Sequence, residues 1–356
     1  MEKIAVAMSG GLDSAYAAIK LKEQDFDIFG ITLQMFCKQH PADDPNHTDE
    51  FKEVQALCKK IGIPHVLIRA EEFFTSTVIQ NFCDEYIAGR TPNPCVLCNK
   101  EIKFGLLLEE ALAQGASHIT TGHYASIEFE EQTQRFLLKR GRDHTKDQSY
   151  FLWRLNQYQL EHTIFPLAEE TKEDIKKKIT NSNLNIEEKS ESQEICFVPH
   201  DDYTMFLKKR FHETIHSGNI IDSEGNILGT HKGFPFYTIG QRKGLGISAP
   251  HPLYVLEVRP KTNEIVVGER GQLFHKGLVA NECNWIKYEE VMCPIRAKAK
   301  VRFNTTEKHC TIYPEEHGIK VLFDRPQMSI TPGQSVVFYE GEYVIGGGII
   351  EQAIDG

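Results

Sequence analysis

The sequence lacks any long apolar run, although 40% of its 356 residues are hydrophobic. A membrane-spanning helix needs about 20 consecutive apolar residues, and no stretch approaches that length. The first residues also lack the charged and then apolar pattern of a secretory leader. We therefore expect no association with a membrane and a location in the cytoplasm.

The chain also lacks the cysteine pattern of a secreted, disulfide-stabilised protein. Its nine cysteines are an odd number and are scattered along the sequence, whereas disulfide frameworks are dense and occur in short chains. At 356 residues the chain is too long for one typical domain and suits two or three, each with its own core.

Positive charge is not in excess: the chain has 40 Lys and Arg and 50 Asp and Glu, which gives a formal net charge of −10. Because proteins bind nucleic acids largely by neutralising phosphates, this balance disfavours a nucleic acid partner. One segment, 296–303, differs, since cations alternate there with apolar residues. On a strand this spacing places Arg296, Lys298, Lys300 and Arg302 on one face. Such a face is typical either of a solvated barrel surface or of an RNA-binding surface.

A glycine loop near the start predicts a phosphate site. Residues 9–14 read SGGLDS and lie between an apolar, strand-like segment (3–8) and a segment rich in helix formers (14–21). Glycines at a strand-to-helix turn let backbone N–H groups approach phosphate oxygens, and the two serines add hydroxyl donors. Asp13 is expected to hold Mg²⁺ or to cap the helix. The lysine of a Walker loop is missing, which excludes a P-loop kinase or GTPase. The alternative is an ordinary helix-capping turn.

Three cysteines form the second notable feature. Cys95 and Cys98 make a CxxC just before a helix predicted from Asn99, and Cys196 follows much later. A thiol near a helix N-terminus is shifted toward the thiolate, which favours reactive sulfur. A structural zinc site would need four ligands, and neither a second CxxC nor a histidine pair supplies them. The remaining cysteines are expected to be ordinary packing or surface residues: Cys37, Cys58, Cys83, Cys283, Cys293 and Cys310.

Up to about Cys196, strand-like and helical segments alternate, which predicts an open, mostly parallel α/β sheet with a Rossmann-like layout. The predicted strands are 27–36, 65–68 and 117–121, and the predicted helices are 50–61, 71–87 and 99–114. Ligands bind at the carboxyl ends of such strands. Ser9 and residues 120–123 both fall at such ends, so we expect them to face the same nucleotide crevice.

After about Met205 the pattern changes to short β-rich runs between glycines and prolines. These runs are 233–239, 252–259, 264–268, 294–303, 309–313, 320–323 and 335–339. The expected organisation is an α/β domain over 1–204, a small central β-rich domain over 205–279 and a C-terminal β-barrel over 280–356.

The motifs together resemble a known family. SGGLDS is similar to the PP-loop of the N-type ATP pyrophosphatases, which cleave ATP between the α and β phosphates. Within that superfamily the chain resembles the tRNA-specific 2-thiouridylases (MnmA/TrmU). The matching segments are 90–99, 121–125, 146–150, 192–197, 240–244 and 331–335. They extend over nearly the whole chain, and its domain arrangement is similar as well. The resemblance implies that 1–204 is a PP-loop ATP-binding and catalytic domain and that the central domain, 205–279, contacts tRNA.

The resemblance implies an ATP-dependent tRNA sulfurtransferase. The enzyme would adenylate and then thiolate position 2 of the wobble uridine, giving 2-thiouridine. By position in the family motifs, Cys98 matches the catalytic cysteine and Cys196 the cysteine that carries a persulfide. ATP and Mg²⁺ are the implied cofactors. The implied partners are the anticodon stem-loop of tRNA and a sulfur donor, either a cysteine desulfurase or a sulfur-relay protein.

The resemblance also implies the binding residues. The ATP-binding set is Ala7, Met8, Ser9, Gly10, Gly11, Leu12, Asp13, Ser14, Met35 and Gly122. The tRNA-binding set is Asn93, Pro94, Cys95, His123, Lys146, Asp147, Gln148, Arg302, Phe303 and Gln334. Within a strand Phe303 would point inward, whereas at a strand end it can turn outward and stack on a base.

One departure from the family pattern leaves alternatives open. Many members carry Asp where this sequence has Cys95, and a thiol is a poorer base but a better ligand for soft metals. A 4Fe–4S cluster on Cys95, Cys98 and Cys196 is therefore an alternative to persulfide chemistry. Two further alternatives are a non-thiolating PP-loop tRNA ligase, in which the cysteines are incidental, and a non-catalytic iron–sulfur RNA-binding protein. We favour the persulfide.

Overall fold

The computed structural model describes residues 2–35, 49–181, 195–199, 202–211 and 215–355. The predicted strand residue Phe36, motif residues 192–194 and Cys37 lie outside these ranges. The strands in chain order are β1 Lys3–Ala7, β2 Asp27–Gln34, β3 His65–Arg69, β4 His118–Thr120, β5 Ala125–Glu130, β6 Arg135–Arg140, β7 Thr163–Ile164, β8 Gly218–Ile221, β9 Ile227–His231, β10 Tyr254–Arg259, β11 Glu264–Gly268, β12 Phe274–Trp285, β13 Ile295–Lys300, β14 Lys308–Glu315, β15 Gly318–Met328, β16 Ser335–Glu340 and β17 Tyr343–Ile354. The α-helices are α1 Leu12–Glu23, α2 Asp49–Ile61, α3 Glu71–Phe74, α4 Gln80–Ile87, α5 Pro94–Leu97, α6 Leu107–Ala113, α7 Gln157–Glu161, α8 Lys172–Asn181 and α9 Tyr203–Phe211.

The first sheet confirms the predicted parallel α/β domain. Its strand order is β3-β2-β1-β4-β7, and every neighbouring pair is parallel. The central strand β1 is apolar on both faces because helices cover both. Ile4 and Val6 pack with α1 and α2, whereas Ala5 packs with Phe104 and the residues of α6. The carboxyl ends of β1 and β4 therefore lie side by side at one edge of the sheet.

Two helices differ from the sequence prediction. The predicted helix 71–87 contains a π-helical turn at Thr75–Ile79, between α3 and α4. The predicted helix from Asn99 begins earlier, at Pro94, and its middle, Cys98–Leu106, is π-helical. Pro94 suits the first helical position because its missing N–H has no partner to lose there. The CxxC therefore lies inside the first turns of a helix and not ahead of it.

A small sheet with the order β10-β11-β8-β9 follows the first domain. The expected β-rich run 233–239 is wrong, since Phe234–Phe236 form a 3₁₀ turn. Gly233, at φ 141°, adopts a backbone conformation that favours glycine, and Pro235 cannot donate to a strand ladder. These two residues are the physical reason that the run leaves the sheet.

The C-terminal part forms the predicted barrel. Its strand order is β12-β15-β14-β13-β16-β17, and pairing of β12 with β17 closes the ring. The hairpin β5–β6 of the first domain extends this sheet, because β6 pairs with β17 at Lys139 and Leu138. Tyr150 and Trp153 of the first domain are fully buried in the core next to the barrel. The barrel and the first domain therefore share both a sheet and a core.

Among the described residues, none of the helices combines the length and apolar character that crossing a membrane would require.

Candidate active site

The glycine loop joins β1 to α1 as predicted. Gly10 has φ 75°, a conformation that favours glycine, and Gly11 precedes the helix without a side chain capping it. The Ser14 hydroxyl donates to the Gly11 carbonyl at 2.9 Å and lies 3.2 Å from the Ser9 hydroxyl. The serines thus stabilise the turn, and the N-terminus of a helix of 12 residues faces the loop. This arrangement suits an anionic ligand.

Gly122 lies against this loop, as the crevice prediction required. A Cβ atom on Gly122 would lie 2.9 Å from the Asp13 Cβ and 3.0 Å from the Ser14 nitrogen. Only glycine therefore fits where β4 ends beside the loop. The ends of β1 and β4, with Gly10, Gly11 and Gly122, form a close-fitting site for phosphates, which we call the phosphate cradle. These residues fit ATP.

Asp13 does not cap α1, which corrects one of its two predicted roles. The Lys172 ammonium donates to both of its carboxylate oxygens at 2.8 Å, and the Tyr124 hydroxyl donates to Oδ1 at 2.8 Å. Lys172 is itself buried and begins α8. A basic side chain beside the phosphate cradle was not predicted from the sequence.

The remaining ATP-binding residues predicted by resemblance lie close to this loop in the chain or at the end of β2. Met8 and Leu12 are buried, whereas Ala7 is half-buried. Met35 follows β2 and packs, partly buried, against the apolar cluster that contains Cys98. The end of β2 and the cysteine region thus share one apolar core.

Cys95, Cys98 and Cys196, which we call the thiol cluster, converge. Ile195 and Phe197, which flank Cys196, pack in the same apolar cluster as Cys98, and Cys95 lies in the first turn of the helix that carries Cys98. Consistent with this placement, charge on Cys95 or Cys196 raises the pKa of Cys98, and charge on Cys95 raises the pKa of Cys196. Cys98 is buried, whereas Cys95 and Cys196 reach solvent, and all three are free thiols. Cys58, Cys83 and Cys310 are buried, and Cys293 is exposed, as expected for packing and surface residues.

The expected shift toward thiolate is wrong for the free protein. Burial raises the pKa of Cys98 to about 12 and also raises the pKa values of Cys95 and Cys196. The last two side chains reach solvent yet are largely surrounded by protein atoms, so the weaker hydration still disfavours their charged form. The helix that begins at Pro94 has four α-helical residues before its π-helical segment begins. The desolvation of the thiols outweighs the effect of this helix's dipole on their pKa values.

Lys103 is a residue of this region that sequence reasoning missed. Its charge lowers the pKa of each thiol in the cluster and, together with burial, that of His123. The π-helical segment explains its position, since bonds there join residues five apart, as between the Leu107 N–H and the Ile102 carbonyl. A π-helical period at Cys98 would have indicated Lys103, but the sequence carries no clear signal of that period.

His123 lies next to the phosphate cradle, and its ring packs on Phe104 of the helix that carries Cys98. It follows Gly122 and is buried, with its Nδ1 at 2.7 Å from the Thr121 hydroxyl. Burial and the charge of Lys103 lower its pKa well below the ordinary value, so the ring is neutral at neutral pH. Phe104 and Phe165 pack against the ring.

The other predicted tRNA contacts are divided between buried and accessible positions. Asp147 is only 6% exposed, and its Oδ1 accepts from the Ser149 N–H at 3.0 Å. The Gln148 side chain accepts from the Tyr124 N–H at 3.0 Å. Lys146 is half-buried beside them. Of the three side chains, only that of Lys146 carries a positive charge.

On the barrel, the predicted alternation of cationic and apolar residues over 296–303 is present as far as the end of β13, at Lys300. Arg296 and Lys298 are exposed, while Ala297 and Ala299 are buried. Arg302 lies beyond the strand and is half-buried, donating to the Ile239 carbonyl and the Thr331 hydroxyl. The expectation of four cations on one strand face is therefore wrong for Arg302.

Phe303 also lies beyond β13, where it turns outward. Its ring is 36% exposed and packs on Phe151, with ring centroids 4.4 Å apart. Asn93, Pro94 and Gln334 lie at the contact between the first domain and the barrel, described below.

A cluster of metal ligands is not formed in the described ranges. There, no three His, Cys, Asp or Glu side chains are grouped as a metal ion would require. The thiol cluster converges without presenting such a ligand set, so the residues as placed do not fit a 4Fe–4S cluster, and we derive no step through one.

Together, the glycine loop at a parallel sheet edge, the thiol cluster and the fused barrel define a PP-loop nucleotide-binding enzyme with three free thiols in one region. Comparisons with known families agree. Residues 2–200 match the tRNA methyl transferase HUP domain, 204–269 the tRNA methyl transferase PRC-barrel domain, and 275–350 the aminomethyltransferase beta-barrel domain.

Curated relatives are similar over the full chain. The tRNA-specific 2-thiouridylase MnmA of Halothermothrix orenii is 43% identical over 99% of both chains, and the 2-thiouridylase MnmA 1 of Caldanaerobacter subterraneus is 43% identical over 99% of this chain and 98% of its own. The protein belongs to the tRNA-specific 2-thiouridylase family. A solved structure, the U34-tRNA thiolase NcsA from Methanococcus maripaludis with its [4Fe-4S] cluster, covers 59% of this chain and 66% of its own. The TM-score of this match is 0.35 and the sequence identity is 18%, values too low to support a functional comparison.

Proposed function

We propose that the protein is an ATP-dependent tRNA sulfurtransferase that converts the wobble uridine of tRNA to 2-thiouridine. The observation that carries this function is that the residues flanking Cys196 pack with Cys98, from which they are far apart in sequence, in a chain that also forms a phosphate cradle at Gly10, Gly11 and Gly122. Family membership supports it, because the curated relatives are named for this reaction.

The first stage is adenylation. The O2 oxygen of the uridine attacks the α-phosphorus of ATP, the bond to the β-phosphate bridging oxygen breaks, and pyrophosphate leaves. Gly10, Gly11 and the N-terminus of α1 stabilise the departing charge with backbone N–H donors. Mg²⁺ would supply further charge neutralisation, and Asp13 is the carboxylate of the loop that would hold it. AMP then becomes the leaving group on C2.

The second stage is sulfur transfer. A sulfur donor loads Cys196 as a persulfide, and the Cys98 sulfur attacks the Cys196 Sγ. The persulfide S–S bond breaks, a Cys98–Cys196 disulfide forms, and sulfide leaves with the Cys98 proton. Sulfide attacks C2, the C2–O bond breaks, and AMP leaves with the oxygen. An external thiol then reduces the disulfide. Direct attack of the persulfide on C2 is the alternative route.

The other assignments are extensions of this proposal. The ATP-binding and tRNA-binding residues named from the sequence keep those roles, except for Gln334, which is considered below. The domain limits at 1–204, 205–279 and 280–356 remain predictions, and the barrel strand β12 begins at Phe274, before the third limit. The sulfur donor is a cysteine desulfurase or a relay protein, and we place the reaction in the cytoplasm with its tRNA substrate.

Cysteine variants test the function. We expect Cys98→Ser and Cys196→Ser to abolish 2-thiouridine formation, measured by nucleoside mass spectrometry, while tRNA-dependent pyrophosphate release persists. Cys293→Ser, at an exposed position outside the thiol cluster, is the matched control and should be fully active. If thiolation survives in Cys196→Ser, the persulfide route is wrong. If a different tRNA product persists in both variants, the protein is a non-thiolating ligase.

A further inference from the structure

The segment that leads into the CxxC is tied to the C-terminal barrel by a bridging arginine. Arg90 Nε donates to Glu85 of α4 at 2.7 Å, while its two terminal nitrogens donate to Glu351 of β17 at 2.7 and 3.0 Å. All three side chains are largely shielded from water. A bidentate arginine–carboxylate pair fixes orientation as well as distance. Arg90 therefore fixes the start of this segment against the barrel.

The backbone of the next two residues is held by the loop between β15 and β16. The Thr91 N–H donates to the Pro332 carbonyl at 2.9 Å. The Gln334 side-chain amide donates to the Thr91 carbonyl at 2.9 Å and to the Pro92 carbonyl at 3.1 Å. A Cβ atom on Gly333 would lie 2.9 Å from the Thr91 oxygen, so the two backbones are in close contact. The Gln334 amide nitrogen thus points into the protein.

Tyr150 links Asn93, which precedes α5, to the barrel. Its hydroxyl donates to the carbonyl of Ser335, the first residue of β16, at 2.8 Å, and the Asn93 side chain interacts with the same hydroxyl. Every residue from Arg90 to Asn93 therefore has a contact with the barrel or with a side chain fixed on it. Cys95 follows two residues later, in the first turn of the continuous helix 94–113, so these contacts fix the N-terminal end of the helix that carries Cys95 and Cys98.

We propose that the C-terminal barrel is a positioning element for the thiol cluster, with Arg90, Glu351 and Gln334 as positioning residues that set where Cys95 and Cys98 meet Cys196. The effect on rate rests on the proposed function, whereas the effect on thiol geometry does not. Gln334 thereby takes a role different from the tRNA contact that the family resemblance implies, because its amide donors are used within the protein.

The test uses the full-length protein and two isosteric variants. Glu351→Gln removes the charge that pairs with Arg90, and Gln334→Glu replaces the two donors by an acceptor. The matched control is Asp324→Asn, which removes the bidentate partner of Arg296 at 2.8 Å on the exposed barrel surface. The first readout is the alkylation rate of Cys98 without substrates, measured by peptide mass spectrometry. Cys58, buried in a separate core, reports general loosening.

We expect Cys98 alkylation to rise at least about tenfold in both variants as the helix loses its anchor, with Cys58 and the control unchanged. The kcat of thiolation should fall at least about tenfold, with the KM for tRNA unchanged within about twofold. An unchanged rate of Cys98 alkylation overturns the proposal. A weaker tRNA affinity in Gln334→Glu with unchanged alkylation would make Gln334 a tRNA contact instead. If wild-type protein fails to thiolate tRNA while alkylation responds as expected, the proposed function fails and the positioning role stands.

Discussion

Both carboxylate oxygens of Asp13 accept hydrogen bonds from the Lys172 ammonium at 2.8 Å. Asp13 lies in the first turn of α1 beside the phosphate cradle, and Lys172 begins α8, the last described helix before Cys196. This ion pair joins the nucleotide loop to the start of α8, and Lys172 is only 9% exposed.

The pair predicts a specific outcome for a double-mutant cycle. Asp13→Asn removes the carboxylate that pairs with the buried Lys172 ammonium, and we expect it to lower the free energy of unfolding by about 2 to 3 kcal/mol. It should also abolish pyrophosphate release. Adding Lys172→Met should restore most of the stability but none of the turnover. Urea unfolding and a pyrophosphate assay measure the two effects, and turnover in Asp13→Asn would contradict the role of Asp13.

Gly122 predicts a steric effect on nucleotide use. In Gly122→Ala the added methyl group would meet the Asp13 Cβ at 2.9 Å and the Ser14 nitrogen at 3.0 Å, so the loop must shift. We expect the KM for ATP to rise at least about tenfold, measured from ATP titrations of pyrophosphate release. Gly271→Ala is the control, because open space surrounds its Cβ position. Equal kinetics of the two variants would show that Gly122 does not shape the cradle.

The sequence predicted the order of elements better than the geometry of the site. The strand-to-helix loop at residues 9–14 and the strand 118–120 carry strong local signals, and both are where the pattern places them. The pairing of β6 with β17 is a contact between distant segments, and no local pattern encodes it. The π-helical segment and the raised thiol pKa values likewise depend on tertiary packing, which outweighs the local helix signal.

Glu170 predicts how stability depends on pH. Burial raises its pKa, but hydrogen bonds from Lys178 and Lys20, each at 2.8 Å, outweigh burial and lower the pKa to about 2. A lowered carboxyl pKa contributes stability above the unfolded value of 4.5 and loses it as the pH falls toward 2.

Glu170→Gln removes this contribution. We expect the variant to be less stable than wild type by about 2 kcal/mol at neutral pH, and the difference to shrink by about 1 kcal/mol near pH 3.5. Urea unfolding of both proteins at the two pH values measures it. A difference that does not change with pH would mean that the effect comes from packing and not from charge.

Phe303 predicts a separable contribution to tRNA affinity. Its ring is partly exposed on top of Phe151, so a base can stack on it without rearrangement of the core. Phe303→Ala should weaken tRNA binding by about 5- to 100-fold, as loss of one stacked base does, while ATP binding is unchanged. Phe129→Ala is the control, because its exposed ring packs on Phe136 at 4.9 Å on the β5–β6 hairpin. Filter binding at fixed salt measures the tRNA affinity of both variants. Equal affinities would show that Phe303 does not contact tRNA.

Lys103 predicts a shift in thiol reactivity. Its charge lowers the pKa of Cys95, so Lys103→Met should raise that pKa and leave less thiolate at any given pH. The pH profile of Cys95 alkylation should therefore move to higher pH. Lys100→Met is the matched control on the same helix, since Lys100 pairs with Glu101 at 3.0 Å. Cys98 should react slowly in both proteins, because burial already raises its pKa to about 12. If the Cys95 profile moves equally in both variants, the shift comes from a change in the helix and not from the loss of the Lys103 charge.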